Sequence, residues 1–193
     1  MNTGDGLLPR AVMDEFVGVC HGDVARVKQL LAEHPGLVSA VATWGETPIK
    51  AAAQTASREI CELLLSQGAP LEICTASALG MNDKVREMLD ADPGLKDARG
   101  AHGIPLMYYP VITGNVELAD LVLSRGADIN AGAGGNTALH GAAMMGQTRM
   151  AEWLLAHGAD PTATDYEGKT PLQRALEYDS HGVAGALDRH GGK

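Results

Sequence analysis

The chain is poor in aromatic residues and in cysteine. Only seven of its 193 residues are aromatic, so its interior must be built mainly from small aliphatic side chains. The three cysteines, Cys20, Cys61 and Cys74, form no Cys-x-x-Cys pair, and with the histidines they show no zinc-ligand spacing. We therefore expect the reduced thiols of a cytosolic protein, with no disulfide, no metal and no other cofactor.

Long apolar runs and positive net charge are also missing. No run approaches the roughly 18 apolar residues of a membrane-spanning helix, and the opening MNTGDGLLPR lacks the pattern of a signal peptide. A formal net charge of -9 provides no basic stripe for a phosphate backbone or an anionic lipid surface. These absences predict a cytoplasmic protein without a nucleic-acid or membrane partner.

The chain does contain an internal repeat. Residues 135–160 read GNTALHGAAMMGQTRMAEWLLAHGAD, and thirty-three residues later GKTPL takes the place of GNTAL. A segment that returns at this period is one supersecondary unit, which buries its apolar side by stacking on copies of itself. We expect one domain of six units, with caps at both ends, over residues 7–36, 37–68, 69–95, 96–128, 129–160 and 161–193.

Two units depart from this pattern. The dividing residue Gly80 follows Ala56 by only twenty-four residues, whereas the other steps are thirty-two to thirty-four, so the third unit should lack its connector. The fourth unit has one additional residue between Ile104 and Gly114, and Pro110 falls within its first helix. An extra residue beside a proline predicts a π-bulge or a kink.

The repeated residues resemble those of the ankyrin-repeat family, of a bacterial type. The resemblance rests on the Thr-Pro-Leu start, the paired alanines, the dividing glycine, the Leu-Leu pair and the closing Gly-Ala-Asp, as at 158–160. It implies an all-α solenoid of stacked antiparallel helix pairs with short β-turn fingers. The fingers and the inner helices would line a concave groove, and family members mostly serve as protein-binding scaffolds.

Two classes of function remain open at this stage. The first is a monomeric module that binds another protein through the groove. The second is a small-ligand binder or an unusual enzyme with a pocket at His102, Tyr108, Tyr109 and His140, covered by Trp44. No nucleophile elbow, phosphate-binding glycine loop or HExxH motif is present, so we predict no catalytic residue and no enzyme.

The ankyrin pattern places a set of residues on fingers or at the ends of inner helices. Trp44 is the foremost of them, because an exposed tryptophan in a turn is typical of binding hot spots. His140 is also expected to support the scaffold by bonding the backbone between fingers, and the acidic pairs at 14–15 and 165–167 are interpreted as solvated. The predicted partner-binding residues are Trp44, Glu46, Gln54, His102, Tyr108, Tyr109, Asn136, His140, Met144, Met145, Tyr166 and Glu167.

Overall fold

The computed structural model describes residues 8–132 and 134–191. Within these ranges the chain forms α-helices and short 3-10 helices and no β-strand, apart from an isolated antiparallel bridge between Arg99 and Pro105. The predicted all-α fold class of stacked helix pairs is therefore confirmed. The chain divides into two compact units, residues 1–71 and residues 72–193.

The N-terminal unit contains two helix pairs. The Asp23 side chain accepts a hydrogen bond from the Arg26 backbone N–H at 3.0 Å and so caps the second helix. Three consecutive alanines at 51–53 are fully buried, and their small side chains allow neighbouring helices to approach closely. The elements are α1 (Arg10–Val19), α2 (Val24–Glu33), a 3-10 helix (Pro35–Ser39), α3 (Pro48–Gln54) and α4 (Arg58–Ser66).

The C-terminal unit contains four helix pairs, and its inner helices pack in series, α5 on α7, α7 on α9 and α9 on α11. Thr137 and Thr170 each form a capping box at the start of an inner helix. The α-helices are α5 (Ile73–Ala78), α6 (Asn82–Ala91), α7 (Tyr108–Ile112), α8 (Val116–Ser124), α9 (Ala138–Met144), α10 (Thr148–Ala156), α11 (Pro171–Glu177) and α12 (His181–Arg189). Two 3-10 helices, Pro93–Asp97 and Ala101–Gly103, lie between α6 and α7.

The link that leads into the third repeat is short, in keeping with the expectation that this repeat lacks its connector. Helix α5 begins at Ile73, seven residues after α4 ends at Ser66, whereas α11 begins fifteen residues after α10 ends at Ala156. The short link leaves no chain for a finger. Length along the sequence was sufficient to predict this feature.

The prediction of a π-bulge in the fourth repeat was wrong. None of the described residues is in a π-helix, and α7 begins only at Tyr108. Ile104 stands where other repeats have a capping threonine, and it has no hydroxyl to accept the helix N–H groups. Because the start is delayed, Pro110 lies in the first turn of α7, where a missing N–H costs no intrahelical hydrogen bond.

Candidate partner-binding surfaces

The first finger, residues 42–46, is a short turn anchored to α1. The Ala42 N–H donates to the Glu46 carbonyl at 2.9 Å, and Gly45 adopts φ +84°, which favours glycine. The Asp14 carboxylate accepts a hydrogen bond from the Thr43 backbone N–H at 2.7 Å. Asp14, which was interpreted as part of a solvated face, is partly exposed and also holds the finger in place.

Trp44 lies at the tip of this finger and is 50% exposed. Its indole Nε1 donates to Glu46 Oε2 at 2.7 Å, and Glu46 is buried beneath it. His21 Nε2 lies 3.5 Å from the other oxygen of this carboxylate and 3.0 Å from Gln54 Oε1. The structure thus brings the predicted residues Trp44, Glu46 and Gln54 together, and it adds His21, which the same period places at an inner-helix end.

Tyr108 and Tyr109 belong to the core of the C-terminal unit. Both side chains are buried, and their rings meet edge to face with centroids 6.4 Å apart. A Cβ at Gly141 would lie 2.7 Å from Cε2 of Tyr108, and a Cβ at Gly100 would lie 1.8 Å from the Tyr109 hydroxyl. Each ring therefore occupies space that a glycine leaves open. Burial also raises the pKa of the Tyr108 phenol.

His140 is fully buried and joins two successive fingers. Its Nε2 lies 3.0 Å from the Lys169 carbonyl oxygen, which can only accept, and its Nδ1 lies 2.8 Å from Thr137 Oγ1. Burial lowers the pKa of the imidazole although the Lys169 carbonyl opposes this shift, so the ring is neutral at pH 7 with its proton on Nε2. This is the scaffold bond that the resemblance implied.

Among the described residues the corresponding bond is absent between the finger of the fourth repeat, residues 100–103, and the finger of the fifth repeat, residues 134–136. Met107 takes the position of His140, and its thioether has no proton to donate to the carbonyl of Asn136, which corresponds to that of Lys169. Two cavities open at this junction, of about 290 Å³ beside Lys96 and Asp128 and about 320 Å³ beside His102 and Asn136. The described lining of either cavity includes neither Tyr108 nor Tyr109 nor His140, so the predicted four-residue pocket is not assembled.

The last finger, residues 165–169, carries the exposed Tyr166 and Glu167 over a buried ion pair. Arg174 is 5% exposed, and its Nε donates to Asp165 Oδ2 at 2.5 Å. Burial opposes ionisation of Asp165, but hydrogen bonds from the Lys169 N–H and from Arg174 outweigh it and hold the carboxyl pKa below its usual value. The interpretation of Asp165 as solvated was therefore wrong.

The two methionines at the end of α9 differ in exposure. Met145 is 51% exposed, and Met144 is half-buried. One period later Tyr178 directly follows α11 as its C-cap and is 49% exposed, although it was not among the predicted binding residues. The inner-helix ends of the C-terminal unit therefore present a methionine and a tyrosine to solvent.

In the part of the chain that the structure describes, every helix is too short or too polar to span a bilayer.

A comparison with protein-family models finds ankyrin repeats in the sequence. A family model of ankyrin repeats in three copies matches residues 73–165, and a single-repeat family model matches residues 44–76. Together they cover residues 44–165, well over half of the chain.

Curated relatives share the repeats over a part of their own length. The human ARF GTPase-activating protein GIT1 is 41% identical over 83 residues, 42% of this chain and 11% of that protein. Chicken inversin is 31% identical over 120 residues, 62% of this chain and 11% of that protein. Zebrafish ankyrin repeat and SOCS box protein 11 is 48% identical over 60 residues, 30% of this chain and 20% of that protein. The chain thus corresponds to a tenth to a fifth of these relatives, and it belongs to the ankyrin-repeat family.

Proposed function

We propose that this chain is a monomeric, non-catalytic module of six repeats that binds another protein in the cytoplasm, and that it binds no nucleic acid. Ankyrin repeats are protein-interaction modules, which supports the class of function. Finger tips and inner-helix ends would make the contacts. The single observation that carries the proposal is that the Trp44 indole is exposed to solvent while a hydrogen bond to Glu46 fixes its orientation.

The hydrogen bonds of Trp44 make its indole suited to burial by a partner. Its N–H already donates to Glu46, so covering the ring would leave no polar group of the indole unsatisfied. The anchoring of Thr43 by Asp14 orders the finger beforehand, which reduces the entropy lost on binding. Burial of a hot-spot tryptophan contributes about 2 kcal/mol or more, so Trp44→Ala should weaken the complex roughly thirtyfold.

Affinity capture with three baits tests this function. The baits are the wild type, Trp44→Ala and the matched control Trp153→Ala, whose half-buried indole stacks on His157 on the outer helix α10. We expect a protein that the wild type and Trp153→Ala retain and that Trp44→Ala loses. The captured protein is then purified and titrated against all three baits by calorimetry.

Circular dichroism first establishes that both variants keep the wild-type helix content. Equal affinity of the wild type and Trp44→Ala for the purified partner would remove Trp44 from the interface. Failure of every folded bait to capture any protein would count against the interaction function itself.

A further inference from the structure

The last finger and the ends of the last two inner helices present aromatic and apolar side chains to solvent. Tyr166 on the finger is 68% exposed. Tyr178 directly follows α11, and Met145 has the same place after α9, which packs against α11. These three side chains, together with Glu167 and Glu177, are called here the terminal patch. Exposed aromatic side chains of this kind are enriched where a partner binds.

The Tyr166 ring is held on the guanidinium of Arg174, whose Cζ lies 5.8 Å from the ring centroid. The Tyr166 hydroxyl also donates a hydrogen bond to the Glu167 side chain, which raises the pKa of the phenol. Both contacts orient the ring before a partner arrives, so little entropy is lost on binding. Because most of Tyr166 is exposed, the ring face that Arg174 does not cover is open to solvent.

Tyr178 and Met145 extend this aromatic surface onto α9. The Tyr178 N–H donates to the Arg174 carbonyl at 3.0 Å, so Tyr178 lies one helical turn from the residue that supports Tyr166. Burial and, to a smaller extent, the nearby Tyr178 phenol raise the pKa of Tyr108, whose ring packs on α9. Tyr178 therefore reaches toward the helix that ends beside Met145.

The ion-pair cluster of the last finger has one negative charge in excess. Its three carboxylates belong to Asp165, Glu167 and Glu177, and its two cations belong to Arg174 and Lys169. Arg174 is buried, whereas the side chains of Glu167 and Glu177 are almost half exposed. A partner therefore meets mainly carboxylate groups. A cationic side chain would neutralise the cluster, and an anionic one would be repelled.

A guanidinium suits this surface better than an ammonium. It is planar, so it can stack on an aromatic ring while its N–H groups reach a carboxylate at the ring edge. The hydrogen bond from Tyr166 holds the Glu167 carboxylate at that edge. Arg174 shows this combination on the inner face of the ring, where its Nη2 lies 3.2 Å from Glu167 Oε2. Because Asp165 pairs with Arg174, the charge of Arg174 does not exclude a second cation on the outer face.

We propose that the terminal patch binds an arginine side chain of a partner protein. The guanidinium stacks on the outer face of Tyr166 and pairs with Glu167. An apolar residue beside this arginine packs on Tyr178 and Met145. The assignment rests on the proposed protein-binding function and names the chemistry of the partner.

Three N-acetylated, C-terminally amidated pentapeptides of sequence Ser-Leu-X-Leu-Ser test the assignment by ¹H–¹⁵N NMR titration of the full chain. X is arginine, lysine or citrulline, which is a neutral group with the shape of arginine. We expect the arginine peptide to cause saturable shifts at Tyr166, Glu167, Gly168 and Lys169. The lysine peptide should bind about two- to fivefold more weakly, and the citrulline peptide about tenfold more weakly.

Variants of the terminal patch show which groups carry the effect. Tyr166→Leu, which keeps an apolar side chain and loses the ring, and Glu167→Gln should each lower the affinity for the arginine peptide about two- to fivefold. The matched control is Glu117→Gln, which removes an exposed carboxylate from the first turn of α8 and should bind the peptide as the wild type does. The dispersion of each spectrum shows that the variant is folded.

Several results would overturn the assignment. These are equal binding of the arginine and citrulline peptides, no saturable shift with any peptide, shifts confined to residues outside the terminal patch, and an affinity that Tyr166→Leu or Glu167→Gln leaves unchanged. Binding of the lysine peptide as tightly as the arginine peptide would show that any cation is accepted. The peptides need no natural partner, so this test can fail while Trp44-dependent capture succeeds, and the reverse result is equally distinguishable.

Discussion

Replacing Gly141 in helix α9 by alanine has two opposing effects on the stability of the protein. In a helix interior alanine is about 1 kcal/mol more favourable than glycine. The added Cβ would, however, lie 2.7 Å from Cε2 and 3.1 Å from Cδ2 of the Tyr108 ring, closer than real Cβ contacts. Tyr108 is only 5% exposed, so the ring has little space into which it can move, and such overpacking costs about 1–3 kcal/mol. We expect Gly141→Ala to destabilise the protein by up to about 2 kcal/mol.

Gly185 offers a matched control for the same substitution. It lies within α12, and the nearest heavy atom to an added Cβ is Arg189 Nη1 at 3.7 Å, an ordinary contact. Gly185→Ala should therefore stabilise the protein by about 1 kcal/mol. The two variants should differ by about 1–3 kcal/mol, or roughly 2–12 °C in Tm at 2–4 °C per kcal/mol.

Urea and thermal unfolding followed by circular dichroism measure both effects. In a double-mutant cycle, Tyr108→Leu should remove most of the penalty of Gly141→Ala, because the clashing ring atoms are then absent. If Gly141→Ala raises Tm as much as Gly185→Ala does, the Tyr108 ring does not fill the space beside α9. The same result would contradict the assignment of Tyr108 to the core.

Two further predictions concern buried polar groups. Burial holds the pKa of His140 below its ordinary value near 6.5, so below that pH the unfolded chain binds a proton that the native chain does not. Stability should then fall with falling pH by up to about 1.4 kcal/mol per unit from this group, and urea midpoints between pH 5 and 7 should lose this part of the slope in His140→Gln. Arg174→Met leaves the Asp165 carboxylate buried without its partner and should cost about 3–5 kcal/mol. Adding Asp165→Asn should recover much of this loss in urea unfolding, and an unchanged loss would show that the unpaired charge is not its cause.

Features that depend on local chain length and helix signals were predictable. The missing connector of the third repeat follows from the short distance between Ala56 and Gly80, because the six residues between α4 and α5 are too few to form a finger. The scaffold bond of His140 followed from the resemblance to ankyrin repeats, which commonly have a histidine at this position. The exposure of Trp44 also agrees with its place in a turn between Thr43 and Gly45.

Features that depend on several residues at once, or on residues further along the chain, were predicted less well. Tyr109 has the same motif position as the alanines of other repeats, and only the opposing Gly100 explains how its ring is accommodated. The delayed start of α7 required both the missing cap at Ile104 and the position of Pro110.

The sequence by itself determined the repeat, the paired helices and the shortened third repeat, because period, capping residues and chain length are local properties. The tertiary structure alone decided which polar and aromatic side chains are buried, as Asp165 and Tyr108 illustrate. Whether such a group faces water depends on the side chain or the empty space opposite it, which another repeat or a later helix of the same repeat supplies. Arg174 neutralises Asp165, and Gly141 leaves room for Tyr108, and neither relation is contained in the residues next to them.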